Sequence, residues 1–211
     1  MAVVRTAKQL ATYADIEALP PNVVGELVAG ELFVSPRPAG PHATASTALA
    51  MDLGSPFQRG RGGPGGWRFL IEPELHFGND VLVPDIAGWR RERMPAPPQT
   101  VAIELAPDWL CEVLSPSTER LDRTRKLPLY ARAGVRHVWL VNPVHRTLEV
   151  LRLDAGHWVL ATSYGDVDRV RAEPFDAIEL DLNVLWSDLA TKVPGRAGEA
   201  AASYGSLEDD F

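Results

Sequence analysis

Residues 109–141 read WLCEVLSPSTERLDRTRKLPLYARAGVRHVWLV, and the hydrophobic rhythm changes twice along them. Apolar side chains crowd Trp109–Leu114, polar and charged ones fill the middle, and a second apolar run occupies Val138–Val141. A short apolar run beside turn residues predicts a buried strand, and the middle predicts a helix from Ser117 to about Ala133. Ser117 is placed to cap that helix with Glu119 in its first turn. Gly134 suits the left-handed position past its end, before a strand over Arg136–Val141. Strand, helix and strand, with further strands on both sides, predict the α/β or α+β class: a mixed β-sheet flanked by helices.

Working outward, residues 8–18 predict a short helix, and VVGELVAGELFVS (23–35) predicts two strands joined by a tight turn at Ala29–Gly30. The next helix starts at Pro41, carries Ala45, Ala48, Leu49 and Leu53 at helical spacing, and stops at Gly54 and Pro56. GRGGPGG (60–66) predicts a loop. Strands are expected at Trp67–Phe77 and Val81–Trp89, followed by a proline-rich connection through Pro95, Pro97 and Pro98. Beyond the central segment, 146–153, 156–163 and 176–180 predict strands, with a short helix near Leu182–Leu189. One domain is expected over 1–193, with a fraying acidic tail at 194–211.

At 211 residues, 45% of them hydrophobic, the chain has material for one complete core. Its single cysteine, Cys111, excludes an intramolecular disulfide and zinc clusters built on two or more thiolates. No stretch reaches the roughly 18 apolar residues of a membrane span, and Met1–Leu10 lacks the apolar centre of a targeting segment. A cytoplasmic protein with no membrane partner is expected. The net charge of -7 argues against coating nucleic acid by overall attraction. Residues 117–136 nevertheless set six basic side chains against Glu119 and Asp122, so a local anion-binding face remains open.

Strand alternation places Val81, Val83, Asp85, Ala87 and Trp89 on one face, which buries a carboxylate in mid-strand among apolar neighbours. The same parity aligns Leu110, Glu112 and Leu114. Two such acids on neighbouring strands, about 5 Å apart, would repel by roughly 3 kcal/mol at an effective dielectric near 20. A divalent cation removes that cost, and Mg²⁺ suits a few carboxylate oxygens, a carbonyl and waters. Equally open are an Asp85 that hydrogen-bonds a turn after Pro84 and a Glu112 that pairs with an arginine of the following helix.

Lysine is rare: of 21 basic residues only Lys8, Lys126 and Lys192 are lysines, so Lys126 stands alone in the expected core beside Arg123 and Arg125. A lysine can give a proton or orient a water where arginine stays charged. The plain alternative is a helical Asp122–Lys126 pair at i, i+4. The glycines of 60–66 lack the Lys-Ser/Thr of a phosphate cradle and follow a helix rather than a strand. Cys111 alternates away from Glu112 and reads as core, as do the tryptophans on predicted strands.

Several separated motifs, in order, resemble the Uma-two family of restriction-endonuclease-like proteins over roughly residues 10–185. They are Gly25-Glu26-Leu27-Val28-Ala29-Gly30-Glu31-Leu32, Ser35-Pro36 with His42, Val83-Pro84-Asp85, Glu112 through Thr118, Asp122-Arg123 with Lys126 and Tyr130, and Gly134-Val135 with Trp139-Leu140-Val141. The resemblance implies the PD-(D/E)XK nuclease superfamily, with Asp85, Glu112 and the Val113 carbonyl as ligands of Mg²⁺ and Mn²⁺ as a substitute. The usual lysine position, two residues after the second acid, holds Leu114, and the resemblance implies that Lys126 supplies the ammonium from the following helix. It also marks Glu26 as an additional acid. His42, at the start of a helix and on the face of Ala45 and Leu49, is an accessory candidate beside a structural hydrogen-bonding role.

The expected function is a metal-dependent endonuclease acting on nucleic acid, with DNA the expected substrate, catalytic Asp85, Glu112 and Lys126, and Arg120, Arg123 and Arg125 as phosphate contacts. Solvated helix charge is the plain reading of those arginines. The rival is a non-catalytic nucleic-acid-binding or scaffolding module on the same fold, with a homodimer as one form.

Overall fold

The computed structural model describes residues 10–37, 40–166 and 168–186. The acidic tail, residues 187–193 and the first two residues of the expected N-terminal helix lie outside them. A short α1 (Tyr13–Glu17) precedes the hairpin β1 (Val23–Val28) and β2 (Glu31–Pro36). Its turn uses Ala29 at φ 52° and Gly30 at φ 77°, the left-handed pair that suits the twist of a two-residue hairpin. Then come α2 (Gly40–Leu53), β3 (Trp67–Ile71), β4 (Glu74–Phe77), β5 (Asp80–Leu82), β6 (Ile86–Arg90), β7 (Ala102–Ile103) and β8 (Trp109–Val113). After α3 (Glu119–Leu121) and α4 (Leu127–Ala133) follow β9 (His137–Asn142), β10 (Thr147–Asp154), β11 (His157–Gly165), β12 (Arg169–Val170) and β13 (Leu180–Asp181).

The strands build a five-stranded sheet in the order β2-β1-β5-β4-β7 and a six-stranded sheet in the order β11-β10-β9-β8-β6-β3, with β12-β13 as a small third. β8 and β9 are parallel and joined through the helical segment, and β6 and β8 are antiparallel. This is the mixed, helix-flanked α+β arrangement expected from residues 109–141.

Two predicted strands each divide between the sheets. Residues 67–77 become β3 in the larger sheet and β4 in the smaller, and residues 81–89 become β5 in the smaller and β6 in the larger. Pro73 and Pro84 mark the breaks, because proline has no N–H for a ladder. Asp85 therefore stands at the entrance to β6 and not in mid-strand. The proline-rich connection contributes the unforeseen β7, and of 176–180 only Leu180 is in a strand.

Neither long helix is regular. α2 does not stop at Gly54 but widens into a π-helical turn, Gly54–Gln58, which accommodates Pro56. The expected helix from Ser117 begins after Thr118 and is interrupted by a second π-helical turn, Asp122–Lys126. Pro128, near the start of α4, cannot continue a regular ladder, and the wider turn sits immediately before it. Gly134 ends α4 at φ 81°, as a left-handed cap should.

The larger sheet separates two cores. On one face Trp67, Trp109, Trp139, Phe57 and Phe175 pack with Ala45, Leu49 and Leu53 of α2. The rings of Trp109 and Trp139 meet edge to face at 5.3 Å, the favoured aromatic geometry. On the other face Ala87, Trp89, Leu110, Leu114 and Leu140 pack with Val28, Leu75 and Leu82 of the smaller sheet and with Leu129 and Tyr130 of α4. Among the described residues, no helix is long and apolar enough to cross a membrane.

Candidate active site

The ladder of β6 and β8 pairs Ile86 with Cys111, so one step further brings Asp85 opposite Glu112. Alternation within β8 puts Glu112 on the face of Leu110 and Leu114, whereas Cys111 and Val113 enter the other core. Asp85 is fixed across the end of the ladder, where its Oδ2 accepts a hydrogen bond from the Val113 N–H at 2.7 Å. Leu114 is buried in apolar contacts and offers no charge there.

The ammonium of Lys126 reaches this face from the π-helical turn. Its Nζ lies 2.8 Å from Glu112 Oε1, 2.9 Å from Glu26 Oε1 and 3.3 Å from Asp122 Oδ1. Glu26 comes from β1 of the smaller sheet, where its Oε1 also accepts from the Val83 N–H at 2.8 Å. The phenol of Tyr130 donates to Glu112 Oε1 at 2.6 Å. All five of these ionisable residues are buried, with Lys126 only 2% exposed. Two partners of that cluster, Asp122 and Tyr130, stand outside the expected set. Asp122, Lys126 and Tyr130 are spaced i, i+4, i+8, which aligns them on one helix face and is the sequence signal for them.

Burial pushes the Glu112 carboxyl well above its ordinary range against the opposing pull of Lys126, with Asp122, Asp85 and Glu26 adding to the rise. Asp122 is raised by burial in the same way. For Lys126 burial works downward, but Glu112, Glu26, Tyr130 and Asp122 together hold the ammonium well above the ordinary lysine range. Lys126 thus enters any reaction as a cation and not as a base. The sequence-level i, i+4 pairing with Asp122 exists, and it exists as one side of a three-carboxylate enclosure.

His42, near the start of α2, brings Nε2 to 3.2 Å from Asp85 Oδ1. Burial lowers its pKa, yet the hydrogen bond and charge of Asp85, with Asp122 and the Val113 carbonyl, leave it above the ordinary value. Its Nδ1 is buried without a hydrogen-bond partner. Glu26, His42, Asp85, Glu112, Asp122 and Lys126 all line one pocket of about 180 Å³. At its mouth Arg37 Nη1 meets Glu72 Oε2 at 2.6 Å.

The three arginines expected to contact phosphate differ in their surroundings. Arg123 bonds Glu119 and forms a two-pronged contact with Glu149 at 2.9 and 2.6 Å. Arg125 meets Glu31 at 3.1 Å. Arg120 is exposed and, with Arg125, lines a groove that shares Ser35, Ser117 and Thr118 with the pocket.

A family model, Uma2, described as "Putative restriction endonuclease", matches residues 10–184. A crystal structure described as that of a "putative nuclease" from Anabaena variabilis is 24% identical, covers 84% of this chain and 98% of its own, and superposes with a TM-score of 0.67. That likeness establishes a common fold. No curated protein matches the chain.

Proposed function

Since the chain belongs to the Uma2 family, whose model spans residues 10–184, we propose that it is a Mg²⁺-dependent nuclease hydrolysing phosphodiester bonds in DNA. The carrying observation is that Asp85, Glu112 and Lys126 line one pocket, with Lys126 Nζ 2.8 Å from Glu112 Oε1. Among the described residues the pocket is lined by Glu26, Glu72, Asp85, Glu112 and Asp122 against Arg37, His42 and Lys126, so acidic groups outnumber basic ones there.

Such a donor set fits Mg²⁺, a hard cation that takes one or two carboxylates and keeps several waters. Among the described residues no group of three or more His, Cys, Asp or Glu side chains is placed to hold a metal ion, so the ion would need a carbonyl, waters and substrate oxygens as further ligands. Asp85, Glu112 and the Val113 carbonyl would hold it, and Mn²⁺ would serve in its place. When bound, the ion supplies charge stabilisation at the phosphate and a more acidic water.

The protein groups have separable tasks. Tyr130 and Lys126 both bond Glu112 Oε1 and so fix that carboxylate's orientation. Val113 does the same for Asp85 through its N–H. Lys126, kept positive, can hydrogen-bond a water or a non-bridging phosphate oxygen and favour the charge that develops there. Glu26 and Asp122 position Lys126 for this task.

Cleavage of labelled single- and double-stranded DNA and of RNA, with Mg²⁺, Mn²⁺ or chelator, tests the proposal. Wild-type protein should cut DNA only with metal, and Asp85→Ala should fall to background. Equal cutting in chelator or by the variant rejects the metal mechanism. A second reading, a binding or scaffolding module that forms a homodimer, is favoured by one observation: Asp85 and Glu112 already have protein partners in His42, Val113, Lys126 and Tyr130. Absence of any Mg²⁺-dependent thermal stabilisation would support that reading, since a ligand that binds only the native state must raise its stability.

A further inference from the structure

The pocket has no obvious place for the negative charge of a substrate phosphate. Lys126 is enclosed by three carboxylates and His42 faces Asp85, so both interior basic groups already have partners. At the mouth stands one more cation. Arg37 follows β2 and is the arginine that lines this pocket among the described residues. Its side chain is 54% exposed and its partner Glu72 is 29% exposed, whereas the ionisable groups within range from 3% to 16%.

Glu72 is held in an unusual way. It lies in the break between β3 and β4 with φ 45°, a left-handed conformation that a non-glycine residue adopts only when its surroundings impose it. Its N–H donates to the Asp85 carbonyl at 3.0 Å, which ties the bend to the strand entrance that carries the candidate catalytic acid. The carboxylate is thereby presented to Arg37 over the pocket.

We propose that Arg37 is the residue that takes a backbone phosphate of the nucleic acid at the pocket mouth, and that Glu72 occupies its guanidinium until the phosphate displaces it. The inference rests on the nuclease reading above. An exposed carboxylate–guanidinium pair is weak and screened by salt, so it exchanges readily. A phosphodiester offers the same guanidinium two oxygens in a matching fork. Exchange leaves Glu72 in solvent and sets the phosphate beside the buried carboxylates, where a bound divalent ion would offset their charge.

The test is a binding cycle with Arg37→Ala, Glu72→Gln and the double variant. The probe is a fluorescein-labelled oligonucleotide of about 20 nucleotides with phosphorothioate linkages, which keeps the backbone charge and resists cleavage, read by anisotropy in Mg²⁺ over a salt series. Arg37→Ala should weaken binding and reduce the slope of log K against log salt by about 0.7 for a single strand, or about 0.9 for a duplex. Glu72→Gln should tighten binding severalfold in the wild-type background and have no effect beside Arg37→Ala. Arg37 is exposed, Glu72 is half-buried at the surface and neither belongs to a hydrophobic core, so circular dichroism should be unchanged. An equal gain from Glu72→Gln in both backgrounds is a general charge effect and overturns the proposal. Tight binding that ignores Arg37→Ala also overturns it while leaving the nuclease reading in place. A wild-type protein that neither binds this probe nor cuts DNA removes both.

Discussion

Lys126 holds three buried carboxylates together, so its removal has two separable consequences. Loss of the ammonium leaves Glu26, Glu112 and Asp122 without their shared partner, and breaking a buried ion pair in this way typically costs about 3–5 kcal/mol. Lys126→Ala should therefore melt earlier than wild type, lose cleavage, and show a larger Mg²⁺-induced rise in Tm than wild type, because the ion then offsets charge that lysine no longer does. Lys126→Arg should not restore cleavage, since a planar fork cannot reproduce three contacts from one nitrogen in a fully enclosed space. Thermal melts with and without Mg²⁺, beside cleavage rates, decide it; a Lys126→Ala protein that cuts at the wild-type rate would leave the lysine without a chemical role. The inward face of Glu112 was readable from the sequence because side chains of β8 alternate with period two, whereas Asp85 lies in the break before β6, where that alternation does not hold. The enclosure of Lys126 was not, since Glu26 arrives from another sheet and no local pattern encodes that approach.

At the scale of single elements, hydrophobic alternation located nearly every strand but ran through two breaks. Apolar residues continue across Ile71–Leu75 and Leu82–Ile86, and only Pro73 and Pro84 disclose that the chain changes sheets there. The π-helical turns were equally hidden, because Asp122–Lys126 has the composition of an ordinary helix. α2 carries a local conflict of its own. Asp52 lies just before the π-helical turn, and burial, with Asp181 adding, raises its pKa above 3.8. The folded state thus binds more protons than the unfolded chain as pH rises from 3.8 through the folded pKa, so stability falls across that window and stays reduced at neutral pH. Asp52→Asn should stabilise the protein at pH 7 by some tenths of a kcal/mol up to about 1 kcal/mol, solvent screening setting the lower figure. Denaturant melts at pH 7 and at pH 3 check it: the advantage should be present in the first and nearly absent in the second.

Across the whole molecule, the net charge of -7 coexists with a pocket lined by buried carboxylates. Surface arginines such as Arg123, Arg125 and Arg152 are neutralised by local acids, which keeps any electrostatic attraction for nucleic acid confined and not spread over the surface. Two of the crossings between the sheets, at Glu72–Pro73 and at Val83–Asp85, occur at the pocket. Glu26 belongs to the smaller sheet and Glu112 to the larger, and Asp85 lies on the link between them. In a urea titration, cleavage should disappear at or before the first loss of tryptophan signal, and activity that outlasts separation of the sheets would contradict this arrangement. In the nuclease proposed above, placing the candidate groups at the seam works as an interlock: a chain with only one sheet formed brings Glu26 and Glu112 to no common pocket.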